Sequence, residues 1–315
     1  MSGPDRLFRE VGSFMGVPQR QDVGDAKAAI VGLPFDSGSH PRRVGARMGP
    51  AAIRYMSTDM VRRYRPENNG LDPLEELGLV DCGDAAVVHG DTDASLQIMA
   101  SALSAVIDAG AVPIGLGGDG MVSVPMMEAL SARHKNLAVI HFDSHTDAYP
   151  EPGGQNAIHL NPATTFAYAA ERGFVDPRHS VHVGLRGLSY VPGVFDHAEA
   201  LGYEIIPIAL IEAEGIAAIL TRIRERVGTN PVFLCFDMDV FDPSAAPGVF
   251  TPAWGGLTAR EGLAFIKGLE GLHIVGFDIN TMTPGFDVGG QTAWLAATIA
   301  VEFCHLLAAK EGIGG

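Results

Sequence analysis

Seven apolar, β-rich runs recur along the chain with helix-length segments between them, at 28–33, 112–116, 137–142, 180–183, 204–208, 232–236 and 273–277. Each run is apolar throughout instead of alternating with polar residues, the pattern of strands buried on both faces. Between them, 94–109, 122–133, 211–226 and 259–268 carry apolar residues at helical spacing. Thr258 and Glu261 supply a capping box for the last of these. Repeated strand–helix–strand units of this kind specify an α/β fold around a central parallel sheet covered on both faces. The sequence has no long linker, composition break or internal repeat. It therefore reads as an N-terminal arm, 1–25, and one domain, 26–315. Phe8, Phe14 and Met15 of the arm are expected to pack on a neighbouring surface or subunit.

Open parallel sheets bind ligands beyond the carboxyl ends of their strands, and two acidic clusters fall at such ends. One is Asp143-Ser144-His145-Thr146-Asp147; the other is Asp237-Met238-Asp239, followed by Asp242-Pro243. Alternate side chains of an extended segment share a face, so Asp143, His145 and Asp147 can converge, as can Asp237 and Asp239. Carboxylates gathered in a buried site repel one another unless a counter-charge is present, and a divalent cation supplies it. Oxygen-rich donors with an imidazole suit Mn²⁺ or Ni²⁺ better than a thiolate-rich zinc site. A carboxylate bridging two such ions would place a hydroxide between them as nucleophile. Taken alone, Asp237, Asp239 and Asp242 also fit a calcium-like loop or a solvated turn. His141, inside an apolar run, reads as a core histidine, and Asp119 as a structural acid bonding loop amides.

A different reading starts from Gly115, Gly117 and Gly120, which spell GxGxxG after a strand, with Asp143 where a ribose-binding acid would stand. That reading makes the chain a dinucleotide binder. It puts Asp119 in the phosphate-binding turn and gives His145, Asp147, Asp237 and Asp239 no role.

Lys+Arg 22 against Asp+Glu 37 leaves a formal charge of -15, which disfavours nucleic acid and anionic membrane surfaces as partners. Cys82, Cys235 and Cys304 are scattered and read as buried thiols, not as a disulfide or zinc framework. The first ten residues carry charges and Pro4 where a secretory signal needs an apolar core, and no apolar run is read as membrane-spanning. A cytoplasmic protein is expected.

The ordered motifs resemble those of the ureohydrolase family of arginases and agmatinases, the agmatinase branch above all. They run from Val31-Gly32-Leu33-Pro34-Phe35-Asp36 and Arg43-Val44-Gly45-Ala46-Arg47-Met48-Gly49-Pro50 through Ile140-His141-Phe142-Asp143-Ser144-His145-Thr146-Asp147. Gly184-Leu185-Arg186-Gly187, Phe236-Asp237-Met238-Asp239-Val240-Phe241-Asp242-Pro243 and Gly276-Phe277-Asp278 complete the set. The resemblance implies a three-layer α/β/α sandwich, assembly into homo- or hetero-oligomeric trimers or hexamers, and urea-releasing hydrolysis of a guanidine-type substrate. It implies Mn²⁺ or Ni²⁺, with Asp143 and Asp237 bridging two ions, His145 and Asp239 completing one and Asp147 serving the other. His159 is similar in placement to the family's proton-shuttling histidine.

Two positions depart from the family pattern. Gly120 stands where the glycine-rich loop has a metal-binding His, and Thr281 where agmatinases have a guanidinium-clamping Glu. The second ion site is therefore expected to be impaired. Two readings follow: an enzyme acting on C–N bonds of an unusual guanidine, or a catalytically degenerate subunit supporting an active paralogue in a heteromeric guanidine or biguanide (metformin-type) hydrolase.

Overall fold

Side chains on the two faces of each apolar run build two separate cores, so the sheet is the middle layer of three. The computed structural model describes residues 8–9, 12–59, 61–68, 70–150, 158–189 and 191–312. Its strands are β1 (Phe8–Arg9), β2 (Ala28–Leu33), β3 (Val80–Ala85), β4 (Val112–Gly117), β5 (Ala138–Phe142), β6 (Val181–Leu185), β7 (Glu204–Pro207), β8 (Val232–Asp237) and β9 (Ile274–Asn280). They form one nine-stranded sheet in the order β1-β3-β2-β4-β9-β8-β5-β6-β7. Pairing is parallel throughout except for the short edge strand β1, which runs antiparallel to β3.

Helices α1 (Gly49–Asp59), α2 (Pro73–Glu76), α3 (Thr92–Asp108), α4 (Ser123–Ser131) and α5 (Thr165–Glu171) lie in the first half of the chain. They are followed by α6 (Val194–Leu201), α7 (Ile208–Glu214), α8 (Ile216–Val227), α9 (Ala259–Gly268) and α10 (Gln291–Gly312). Ile140, Leu234 and Phe236 face one core with Ile53, Ile223, Phe265 and Phe303 of α1, α8, α9 and α10. Val139, Phe233 and Cys235 face the other with Leu103, Met127 and Phe166 of α3, α4 and α5. This is the α/β/α sandwich expected from the sequence. Thr258 caps α9 as anticipated, its Oγ1 accepting from the Glu261 amide at 3.3 Å while Glu261 Oε2 accepts from the Thr258 amide at 2.8 Å.

Several elements differ from the sequence pattern for physical reasons. The single helix expected over 211–226 is broken at Gly215, whose φ of +81° ends α7 and starts α8. Strand β3 escapes an apolar-run search because it carries Asp81 and Asp84, which are buried against Arg54 of α1. The Arg54 guanidinium donates to both oxygens of Asp81 at 2.8 and 2.9 Å and to Asp84 Oδ1 at 2.5 Å. Gly32 makes room for this ion pair, since a Cβ there would lie 1.8 Å from Asp84 Oδ1. Phe14, fully buried, joins the first core, and its amide donates to Asp81 Oδ2 at 2.7 Å. Met15 packs against the same core. Phe8 is described only through its backbone, in β1.

The absence of a membrane-length run is corrected by α10. The stretch Gln291–Ala309 is long and apolar enough to cross a bilayer by length and composition, with 72% of it buried inside this fold. A helix packed on most sides shows no amphipathic period, which is why the sequence pattern passed it over. Cys82, Cys235 and Cys304 are buried free thiols, as expected.

Arg54 is 2% exposed and offsets two buried acids. Replacing it by Leu leaves Asp81 charged and unpaired, a loss of about 3–5 kcal/mol. Urea denaturation of Arg54→Leu should show that drop; a change below about 1 kcal/mol would contradict the role assigned to the ion pair.

Candidate metal centre

Sheet register brings the acidic clusters together. Strands β4, β9, β8 and β5 are consecutive neighbours, and pairing of Phe142 with Phe236 and of Asp237 with Asn280 sets Asp143, Asp237 and Asn280 side by side at the carboxyl edge. The loop after β4 carries Gly120 to the same place: a Cβ on it would be 3.1 Å from Asp147 Oδ2 and 3.8 Å from Asp237 Oδ2.

Among the described residues His141, Cys235 and Asp237 make one group of possible ligand atoms within 4.8 Å of one another, and two further groups do the same: His141, Asp143, Asp147 and Asp237, and Asp143, His145 and Asp239. Asp143 belongs to both of the latter. His145 Nδ1 stands 3.3 Å from Asp143 Oδ1 and 3.3 Å from Asp239 Oδ2, and Thr251 Oγ1 donates to Asp239 Oδ2 at 2.9 Å. Asp237 Oδ2 and Asp239 Oδ1 are buried without a hydrogen-bond partner. Buried carboxylate oxygens left this way are costly, and here both belong to residues of the two groups that share Asp143.

The electrostatics carry the same message. Burial and then the Asp143 charge push Asp237 up to about 8, and the same pair of causes pushes Asp239 up to about 6. Burial also drives Asp147 well above the carboxylate range, with Asp143 and Asp237 adding to it. Asp143 goes the opposite way: burial opposes its charge, but His141 and His145 outweigh that and hold it well below. Burial disfavours the charged rings of both histidines too. Asp143 and Asp239 nevertheless raise His145 well above its usual range, and Asp143 and Asp237 raise His141 to about 10. Without a cation the cluster retains protons to limit its own repulsion; a divalent ion would take their place.

The surrounding backbone is held firmly. Arg186 donates to five carbonyls, those of Gly184, Asp239, Val240, Phe241 and Ala253, at 2.8–3.3 Å, fastening the loop after β6 to the loop after β8. Asp147 and Thr281 have φ of 43° and 63°, a region unfavourable for a β-branched residue. Thr281 is kept there by its amide, which donates to the Gly118 carbonyl at 2.7 Å, and by its carbonyl, which accepts from the Phe250 amide at 2.8 Å. A cavity of about 430 Å³ opens above, and Asp143, His145, Asp147, Asp237 and Asp239 all reach its wall, with Gly120 and Thr281.

The five acidic and imidazole positions singled out in the sequence thus meet in one place. His159 is exposed, outside the described residues that line the cavity; its carbonyl accepts from Thr164 Oγ1 at 2.6 Å, beside residues 151–157, which lie outside the description. Asp242 organises a turn, accepting from the Ser244 amide at 2.9 Å and the Gly255 amide at 2.9 Å. Asp119 is structural as read, accepting from Ser37 and from the Met121 amide. His141 is buried as a core histidine should be, yet its Nε2 lies 3.2 Å from Asp143 Oδ2 and 3.6 Å from Asp237 Oδ1. The even spacing from Asp143 was the available signal; burial obscured it.

With this arrangement in view, the arginase family model matches residues 26–305 of the chain. The chain belongs to the arginase family. An agmatinase of Salmonella paratyphi B is 35% identical over 288 residues, covering 91% of this chain and 90% of that one. Among solved structures, the proclavaminate amidinohydrolase of Streptomyces clavuligerus is 32% identical with a TM-score of 0.87, covering 96% of this chain and 98% of that one. A hypothetical agmatinase of Burkholderia thailandensis is 30% identical with a TM-score of 0.86, covering 97% and 93%.

A pH dependence follows for this arginase-family chain. Asp237 titrates near 8 when folded and near 3.8 when unfolded, so between those values the folded state binds the extra proton and stability falls as pH rises. His141, raised to about 10 from 6.5, has the same sign above 6.5. In chelator, unfolding free energy should therefore drop by on the order of 1 kcal/mol per group per pH unit between about pH 6.5 and 8. Saturating Mn²⁺ should abolish the drop. A metal-free protein whose stability is flat or rising across that range would contradict the charge balance.

Proposed function

We propose that the chain is a metal-dependent amidinohydrolase that cleaves a C–N bond of a guanidine-type compound, taking up water and releasing urea and an amine. The observation that carries this reading is the carboxylate–imidazole cluster at the wall of an open cavity, with oxygens of Asp237 and Asp239 left unpaired. Asp143, His145, Asp147, Asp237 and Asp239 would hold one or two divalent ions, Mn²⁺ or Ni²⁺, and their oxygen-rich donor set fits such ions. When bound, the metal supplies a hydroxide at neutral pH and polarises the substrate. The chain's own groups fix the geometry: Thr251 orients Asp239, the His145 amide orients Asp143 Oδ1 at 2.9 Å, and Arg186 holds the Asp239 loop through its guanidinium and the Ser144 carbonyl through its amide. His159, exposed two residues before the cavity-lining Asn161, is proposed as proton donor to the leaving amine.

The rest of the cavity points to an uncharged substituent on the guanidine. Among the described lining residues no Lys or Arg occurs and every carboxylate belongs to the cluster, while Pro41, Tyr149, Leu188 and Phe250 supply apolar wall. Thr281, with its hydroxyl donating to the Asn280 carbonyl at 2.7 Å, offers no negative charge to a guanidinium. Among the described lining residues an ammonium tail such as agmatine's meets no carboxylate outside the cluster. The dinucleotide reading gains no support from the glycine-rich turn. Its Met121 amide is occupied by Asp119, and a Cβ on Gly118 would lie 1.7 Å from the Phe35 carbonyl oxygen.

The changes at Gly120 and Thr281 favour a second reading, a subunit that assists an active relative in a cytoplasmic oligomer. Urea release by the purified chain, loaded with Mn²⁺ or Ni²⁺, separates the two. N-alkylguanidines should be turned over at least about ten times faster than agmatine, and Asp237→Asn should lose about 100-fold or more. No urea from the isolated chain, with release restored by a co-purified relative bearing His and Glu at the two positions, would establish the subunit reading instead.

A further inference from the structure

The imidazole missing at Gly120 has a substitute within the sheet. We propose that His141 ligates the ion held by Asp143, Asp147 and Asp237, entering from beneath the site, and that His182 is the positioning residue that frees its Nε2 to do so. This inference rests on the metal-dependent reading above.

His141 Nε2 is fully buried and meets the geometry of a hydrogen bond with no group. It is aimed at the cluster, 3.2 Å from Asp143 Oδ2 and 3.6 Å from Asp237 Oδ1. Neighbouring ligands on an ion with bonds of about 2.1 Å stand roughly 3.0–3.4 Å apart, close to these separations. The ring cannot swing aside, being packed 4.2 Å from Phe166 and 5.0 Å from His182 between centroids.

Its other nitrogen explains the tautomer. His141 Nδ1 and His182 Nδ1 are 2.8 Å apart, so one must carry a proton and the other a lone pair. With the proton on His141 Nδ1, donated to His182, the lone pair of His141 sits on Nε2 and faces the acids. A ligating histidine fixed by a hydrogen bond from its second nitrogen is the usual arrangement around metals. His182 is itself fully buried, 4.5 Å from the Tyr203 ring, and Tyr203 Oη donates to the Phe166 carbonyl at 2.9 Å. Packing against Tyr203 and Phe166 holds the His182 ring, whose own Nε2 is buried without a hydrogen-bond partner.

The test is made on the full chain saturated with Co²⁺, using metal analysis and the paramagnetically shifted imidazole N–H proton resonances that mark each bound histidine. Two such resonances are expected, from His141 and His145, and His141→Asn should remove one and weaken the affected ion more than about 100-fold. His182→Phe should keep the ion but weaken it about 10–100-fold. Gly120→His in the His141→Asn background should restore affinity, because its Cβ points at Asp147 and Asp237 from the loop side. Bound Co²⁺ with a single imidazole resonance in the unaltered chain overturns the role of His141 and leaves the metal reading intact, without dependence on how the variants fold. No bound Co²⁺ at saturation sinks both.

Discussion

Mutual repulsion among buried acids is the constraint on which the functional edge of this molecule depends. Asp143, Asp237 and Asp239 are each 1% exposed and share a space only a few ångströms across. Such a grouping is expensive without a counter-charge. The raised carboxyls of Asp237 and Asp239 and the raised imidazoles of His141 and His145 are the protein's response when only protons are on hand. A divalent cation would satisfy the same charges with fewer protons retained and would engage the two orphaned oxygens.

The same rule, applied elsewhere with a different answer, shapes the fold. Asp81 on β3 is buried as deeply and Asp84 nearly so, but there the counter-charge is internal, the Arg54 guanidinium. One pair of acids is closed off and structural; the other set opens on a cavity and is left incomplete. Arg186 uses its charge differently again, on backbone carbonyls, and so holds the loop in which Asp239 sits, while its amide donates to the Ser144 carbonyl beside Asp143. Strain at Asp147 and Thr281 is sustained by backbone bonds, from the Phe166 amide to the Asp147 carbonyl and between Thr281 and Gly118 and Phe250.

The parallel sheet could be read from the sequence because strands covered on both faces are apolar without interruption, and Leu116, Phe142 and Phe236 end such runs next to the chemistry. Asp143, His145 and Asp147, and likewise Asp237 and Asp239, were legible as clusters at strand ends, but not through extended alternation: Met238–Val240 is a 3-10 helix and Asp147 has a φ of 43°, so tight turns bring these side chains together. Strand β3 was not, since its acids are neutralised by a residue 27 and 30 positions away. Nor was α10, whose burial removes the polar face that marks a surface helix. His141 shows the limit most clearly: its sequence position suits both a core residue and a ligand, and only the placement of Phe166 and His182 fixes where its nitrogens point.

The most direct test of cation-centred convergence is anomalous diffraction from crystals of the chain soaked in Mn²⁺ at its absorption edge. The strongest peak should lie between Asp143 and Asp237, within coordination distance of both carboxylates. Peaks confined to the molecular surface, with those two side chains hydrogen-bonded to protein groups alone, would contradict it.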